Sequence, residues 1–133
     1  MTDNDLTTAL SDALEVLRPL VTRLEQELIE IVYGGKKAST ELINSLDLAI
    51  KIFSDLKQMV SESVELRIEE EKELEDRGDA IAIIQTIKTY TWDLELFSTR
   101  YSTDPDNALK TAYVDITEIL TGLKAIREVI AVL

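Results

Sequence analysis

The sequence predicts an all-α protein, an elongated antiparallel helical bundle of about four helices forming one domain over residues 1–133. Three observations predict it. Only four glycines and two prolines punctuate the 133 residues, which favours a few long helices over many short elements. The 45% hydrophobic fraction is that of a folded chain with enough material for a real core. Apolar residues recur at helical spacing in every long segment between the turn signals. The predicted helices span about 4–32, 39–77, 79–101 and 105–132.

The first helix starts among Thr2, Asp3, Asn4 and Asp5, which supply N-cap candidates and negative charge for a first turn. Leu10, Leu17, Leu24 and Ile31 fall seven apart, as do Leu14, Val21 and Leu28. This is a coiled-coil-like seam of about three heptads, short for a free coiled coil and normal in a bundle. Pro19 interrupts it, and a proline inside a helix removes one hydrogen bond and crowds the preceding turn. The apolar phase is the same on both sides, so the expectation is a helix kinked at Pro19, with a break at Arg18 as the alternative. Gly34 and Gly35 then allow a C-cap, and Ser39 an N-cap for the next helix. A connection this short places the first two helices antiparallel. Lys36 and Lys37 at its tip read as capping and solubility, or as a small contact for phosphate or an acidic partner.

The segment from Ser39 to Arg77 contains neither glycine nor proline. As one helix it would be a rod of about 58 Å. It carries two apolar stripes. The first runs through Leu42, Ile43, Leu46, Ala49, Ile50, Phe53, Leu56, Val60, Val64 and Ile68 to Leu74, and the second through Leu48, Ile52, Met59 and Leu66. A helix resting on a single core needs one stripe. Two stripes imply cover from two sides, by the same chain or by another copy. Its far end is acidic. Eight carboxylates between Glu62 and Asp76 face Arg67, Lys72 and Arg77, a local balance of −5. Negative charge there opposes the helix dipole, so this end is expected to fray or to need a partner.

Gly78 and Asp79 form the next break. Ile83, Ile84, Ile87, Tyr90, Leu94, Phe97 and Tyr101 form the core face of the third helix, with Ile81, Trp92 and Leu96 on the opposite side. A short strand over Ile81–Ile84 is the alternative, though no second strand is available to pair with it. Asp104 followed by Pro105 has the form of an N-cap with proline at the first helical position. The last helix has Leu109, Ala112, Tyr113, Ile116, Ile119, Leu120, Leu123, Ile126 and Ile130 on one face. Gly122 within it should lower helix stability by about 1 kcal/mol relative to alanine, for which a close helix contact would be the reason. The end Val129–Leu133 is apolar on all sides and is expected to be covered.

The composition excludes much chemistry. There is no cysteine, hence no disulfide or thiol nucleophile, and no histidine, the commonest general base and metal ligand. Di-iron bundles need Glu-x-x-His, which a chain without histidine does not have. Gly34-Gly35-Lys36-Lys37 lacks the spacing and the preceding strand of a phosphate-binding loop. No cofactor or metal is expected. The net charge of −12 repels nucleic acid and suits a basic partner. No run of about 18 apolar residues suggests a membrane span, and the acidic start is unlike a signal peptide, so the expected location is the cytoplasm or a particle assembled there.

Glu69, Glu70 and Glu73 resemble the EExxE half of the motif of MazG-like nucleotide pyrophosphohydrolases. The resemblance implies a small, all-helical, oligomeric, magnesium-dependent hydrolase. The family also carries an ExxD element on the following helix, and here Tyr90 and Tyr101 stand three residues before Asp93 and Asp104. That departure makes the enzyme the last of three expectations. The first is a non-catalytic assembly or adaptor protein acting through protein–protein contacts, extending to a subunit of a phage-type particle. Its hairpins are similar at fold level to those by which helical phage subunits such as small terminases oligomerise. The expected contact residues are Leu48, Ile52, Met59, Leu66, Trp92, Leu96, Val132 and Leu133, and the expected partners are further copies of the chain or another protein with a basic surface. The second expectation is an acidic inhibitor or nucleic-acid mimic that uses Glu62, Glu65, Glu69, Glu70, Glu73 and Asp76 to fill a basic groove.

Overall fold

A computed structural model of the chain describes residues 3–63 and 80–131. Among these the chain forms five helices, α1 (Asp3–Val32), α2 (Thr40–Ser63), α3 (Ala80–Glu95), α4 (Phe97–Thr103) and α5 (Pro105–Ala131). The fold is all-α, as the periodicity requires. The segment Ile81–Ile84 is helical. Val64, Leu66, Ile68, Leu74 and the break at Gly78 lie outside the described residues, so the stretch of the rod beyond Ser63 does too.

α1 runs unbroken through Pro19, so the alternative of a break at Arg18 is not realised. The whole heptad seam, from Leu10 to Ile31 and from Leu14 to Leu28, is buried. After α1 the chain turns at Gly35, whose φ of +74° lies in the left-handed region that glycine enters without strain. The backbone N–H groups of Gly34 and Lys36 both donate to the Glu30 carbonyl, at 3.0 Å each. Lys36 then lays its ammonium on Glu27 and Glu30, at 3.4 and 3.2 Å, which ties this basic spot back onto α1. Ser39 caps α2 as its position predicts, its Oγ accepting from the Leu42 N–H at 3.1 Å.

Cross-helix contacts set the topology. Arg18 meets Glu95 and Glu25 meets Lys88, so α3 runs antiparallel to α1. Asp47 meets Arg127, and Lys57 lies over the Tyr113 ring, so α5 runs antiparallel to α2. α1 packs on α2 and α3, and α5 packs on α2, α3 and α4. The helices thus form a square in the order α1, α2, α5, α3, with every adjacent pair antiparallel. α2 and α3 occupy opposite corners and run in the same direction. One contiguous core fills the centre, with Leu17, Leu24, Leu42, Phe53, Ile87, Ile116, Leu123 and Ile126 among its deepest side chains. No helix among the described residues is long and apolar enough to cross a membrane.

One predicted element needs correction. The helix expected over 79–101 is divided at Leu96, which has φ −84° and ψ 0°. Its N–H donates three residues back, to the Asp93 carbonyl at 3.1 Å, where an α-helix would reach four back. Past this tightened turn α4 runs to Thr103. Asp104 then caps α5 through a 3.3 Å bond from the Asn107 N–H, with Pro105 at the first helical position.

Candidate functional site

Two features of the described residues go beyond a plain bundle. The first is an outward apolar face on α3. Trp92 is 65% exposed, and Leu96, one turn on, is 50% exposed. The indole does not hang free. Lys88, one turn earlier, places its ammonium 5.9 Å from the ring centroid, and the same ammonium pairs with Glu25 of α1 at 3.3 Å. On the other side of Trp92, Glu95 accepts from Arg18 of α1 at 2.8 Å. Two ion pairs between α1 and α3 therefore bracket the tryptophan and neutralise the charges beside it. Ile81 begins the same face of α3, and Ile29 of α1 lies one turn beyond Glu25; both are exposed.

The second stripe of α2 is a different surface. Asp47 and Lys57 mark the flank of α2 that faces α5. Leu48, Ile52 and Met59 fall on the other flank, toward α1. Ile52 and Met59 are half-buried and packed against the core, while Leu48 is 51% exposed. Because α2 and α3 sit at opposite corners, the structure does not bring this stripe together with Trp92 and Leu96. Leu66, Val132 and Leu133 lie outside the described residues. Of the acidic surface, Glu62 alone is described. It is exposed and accepts from the Gln58 side-chain amide at 3.3 Å. Glu65, Glu69, Glu70, Glu73 and Asp76 lie outside, and with them the MazG-like half-motif. Among the described residues no three carboxylates are grouped so as to hold a metal ion.

The second feature was not predicted. Asp115 of α5 is 3% exposed, inside the helix junction. It is hydrogen-bonded to Asp93 of α3, and its Oδ2 has no partner. Asp93 in turn accepts a two-pronged bond from Arg100 of α4, at 2.8 and 2.6 Å. Desolvation, followed by the hydrogen bond to Asp93 and its negative charge, pushes the Asp115 carboxyl up to about 8, against the pull of Arg100. Arg100's hydrogen bonds, and after them the bond to Asp115, hold Asp93 down at about 2. Tyr90, on the neighbouring turn of α3, is raised by burial and by the charges of Glu118, Asp115 and Asp93. One signal in the sequence could have found this cluster. Asp115 stands among Ala112, Ile116 and Ile119, on an otherwise apolar stripe where a carboxylate has no business unless something holds it.

The described residues form a four-cornered antiparallel helical bundle with an outward tryptophan face and a pair of acids of which Asp115 is buried and Asp93 part-exposed. Comparison with protein-family models, with curated proteins and with solved structures finds no match to the chain.

Proposed function

We propose that this protein works by protein–protein contact, as a non-catalytic helical assembly or adaptor element of the cytoplasm or of a particle assembled there. The contact is the α3 face centred on Trp92 and Leu96, and its first occupant is a second copy of the chain. The observation that carries this reading is an indole 65% exposed, with the Lys88 ammonium 5.9 Å from its ring centroid. Tryptophan is among the residues enriched at binding hot spots, and a side chain with only two rotatable bonds loses little freedom on docking. The bracketing pairs Lys88–Glu25 and Glu95–Arg18 leave the face nearly neutral, so two copies can meet there without facing like charges. A face that meets its own image closes a two-fold dimer.

The net charge of −12 gives the test its direction. Self-association of an acidic chain should strengthen as salt screens the repulsion between copies, whereas docking into a basic groove should weaken. Light scattering or native mass spectrometry at low micromolar concentration should show a dimer that grows with salt and disappears in Trp92→Ala, with helical circular dichroism unchanged. A strict monomer at all salt concentrations would remove the self-association reading. Capture of a basic protein with steeply falling affinity in salt would favour the acidic-inhibitor alternative.

A further inference from the structure

We infer that the Trp92 face seats a second copy of the chain in one register, with α3 lying antiparallel to its own image about a two-fold axis between Lys88 and Thr89. The inference rests on the self-association reading and adds the register to it. Two observations carry it. The first is charge. Exposed charges run along the other long helices, with Glu15 and Glu25 on α1, Lys51 and Asp55 on α2, and Lys110 and Lys124 on α5. The outer strip of α3, formed by Ile81, Gln85, Thr89, Trp92 and Leu96, carries none. The three charged residues of α3 all pair within the chain, Lys88 with Glu25, Glu95 with Arg18 and Asp93 with Arg100. A basic or an acidic partner would find no charge to pair with on this strip, whereas a second uncharged strip loses nothing by meeting it.

The second observation is spacing. Ile81, Gln85, Trp92 and Leu96 are separated by four, seven and four residues, a pattern that is the same in either direction along the helix. At 100° per residue the four fall within about 60° of one another. A reversed copy therefore matches Ile81 with Leu96 and Gln85 with Trp92, twice over. The apolar ends cover each other. Each indole N–H meets a glutamine amide, whose oxygen is the acceptor it needs once water is displaced. Thr89, at the centre, is small, and its hydroxyl already donates to the Gln85 carbonyl at 3.0 Å, so covering it leaves no donor unpaired. Sliding one copy by a turn sets Ile81 against Arg100 in one direction and carries Leu96 past Ala80, the first residue of α3, in the other. One register keeps the whole strip covered.

The chain has no cysteine, so single cysteines placed on the strip read the register directly. In this pairing Thr89 lies about 1.5 Å along the helix axis from its own copy, and Gln85 about 10 Å from its own. A disulfide joins Cα atoms about 4–7 Å apart. At low micromolar concentration under mild oxidation, Thr89→Cys should form a covalent dimer at least about tenfold faster than Gln85→Cys, as followed by non-reducing electrophoresis. Adding Trp92→Ala to Thr89→Cys should abolish that advantage. A second measurement does not use position 89. An equal mixture of Ile81→Cys and Leu96→Cys should give the mixed covalent dimer, and neither variant alone should cross-link. Cross-linking of Gln85→Cys as fast as that of Thr89→Cys, or absence of the mixed dimer, would overturn the register and leave a dimer at Trp92 standing. A wild-type protein that stays monomeric in native mass spectrometry would remove the self-association reading, and the register with it.

Discussion

Gly122→Ala tests the packing where α5 meets α3. By helix propensity alone the change should stabilise α5 by about 1 kcal/mol. The structure opposes it. A Cβ at position 122 would stand 2.7 Å from Ile87 Cγ1 and 3.0 Å from its Cδ1, with Ile83 Cγ2 at 3.5 Å. Ile87 has no exposed surface and cannot turn outward. Forcing a methyl into a filled core costs about 1–3 kcal/mol, so the net expectation is a loss of about 1 kcal/mol, or about 4 °C in melting temperature. Urea unfolding followed by circular dichroism measures it. The cycle is completed with Ile87→Ala, which alone should cost about 2–5 kcal/mol through the void it leaves. In the double variant the new methyl enters that void, so the two losses should fall short of additivity by about 1–2 kcal/mol. If Gly122→Ala raises stability by the propensity gain and the pair is additive, the α3–α5 approach described above is wrong.

Other expectations follow from the same geometry. Asp115, raised to about 8, contributes most to stability at low pH and loses that contribution as pH climbs from about 4 toward 8; Asp93, held at about 2, contributes above about 4 and fails only as pH falls below it. Unfolding free energies at pH 4.5, 6 and 7.5 should therefore decline more steeply in the wild-type protein than in Asp115→Asn, by at most about 1.4 kcal/mol per pH unit, and matching slopes would remove the assignment. Gly35→Ala places a side chain on a left-handed backbone and should lower stability by about 1 kcal/mol in thermal melts, even though nothing lies within 4 Å of the new methyl. Leu48→Glu, on a half-exposed position, should leave the melting temperature nearly unchanged, whereas Met59→Glu, half-buried against the core, should lower it measurably. Equal effects of the two would mean that the second stripe of α2 does not face α1 as described.

The parts of this fold that could be read in advance are those set by local periodicity and capping. The seam of α1, the first stripe of α2 and the apolar face of α5 were legible because each repeats at helical spacing. Ser39, Gly35, Asp104 and Pro105 were legible because their backbone demands are local. The break at Leu96 was not, since leucine is a good helix former and neither glycine nor proline stands nearby. The pairing of Arg100 with Asp93 spans that break and was hidden with it. The corner positions of α2 and α3 were also hidden. A short loop fixes which helices are neighbours, but the opposite corners follow only from side chains that meet across the core, such as Arg18 with Glu95. The second stripe of α2 was visible as a pattern. Whether it faced α1 or solvent depended on the rotation of the helix, which Asp47 and Lys57 reveal only through their partners on α5.

The order of helices around the square bears on how the chain reaches its native state. α1 with α2, and α3 with α4 and α5, are partners close in sequence, so each set can meet early at small entropic cost. Neither set closes a core alone, because the inward flank of α1 is covered by α3 and that of α2 by α5. The slow step should be the docking of these two preformed halves across contacts some seventy to eighty positions apart, such as Arg18 to Glu95 and Asp47 to Arg127. Until then both halves present bare leucine and isoleucine seams, and in that interval the surplus of carboxylates would keep halves of different chains apart by mutual repulsion.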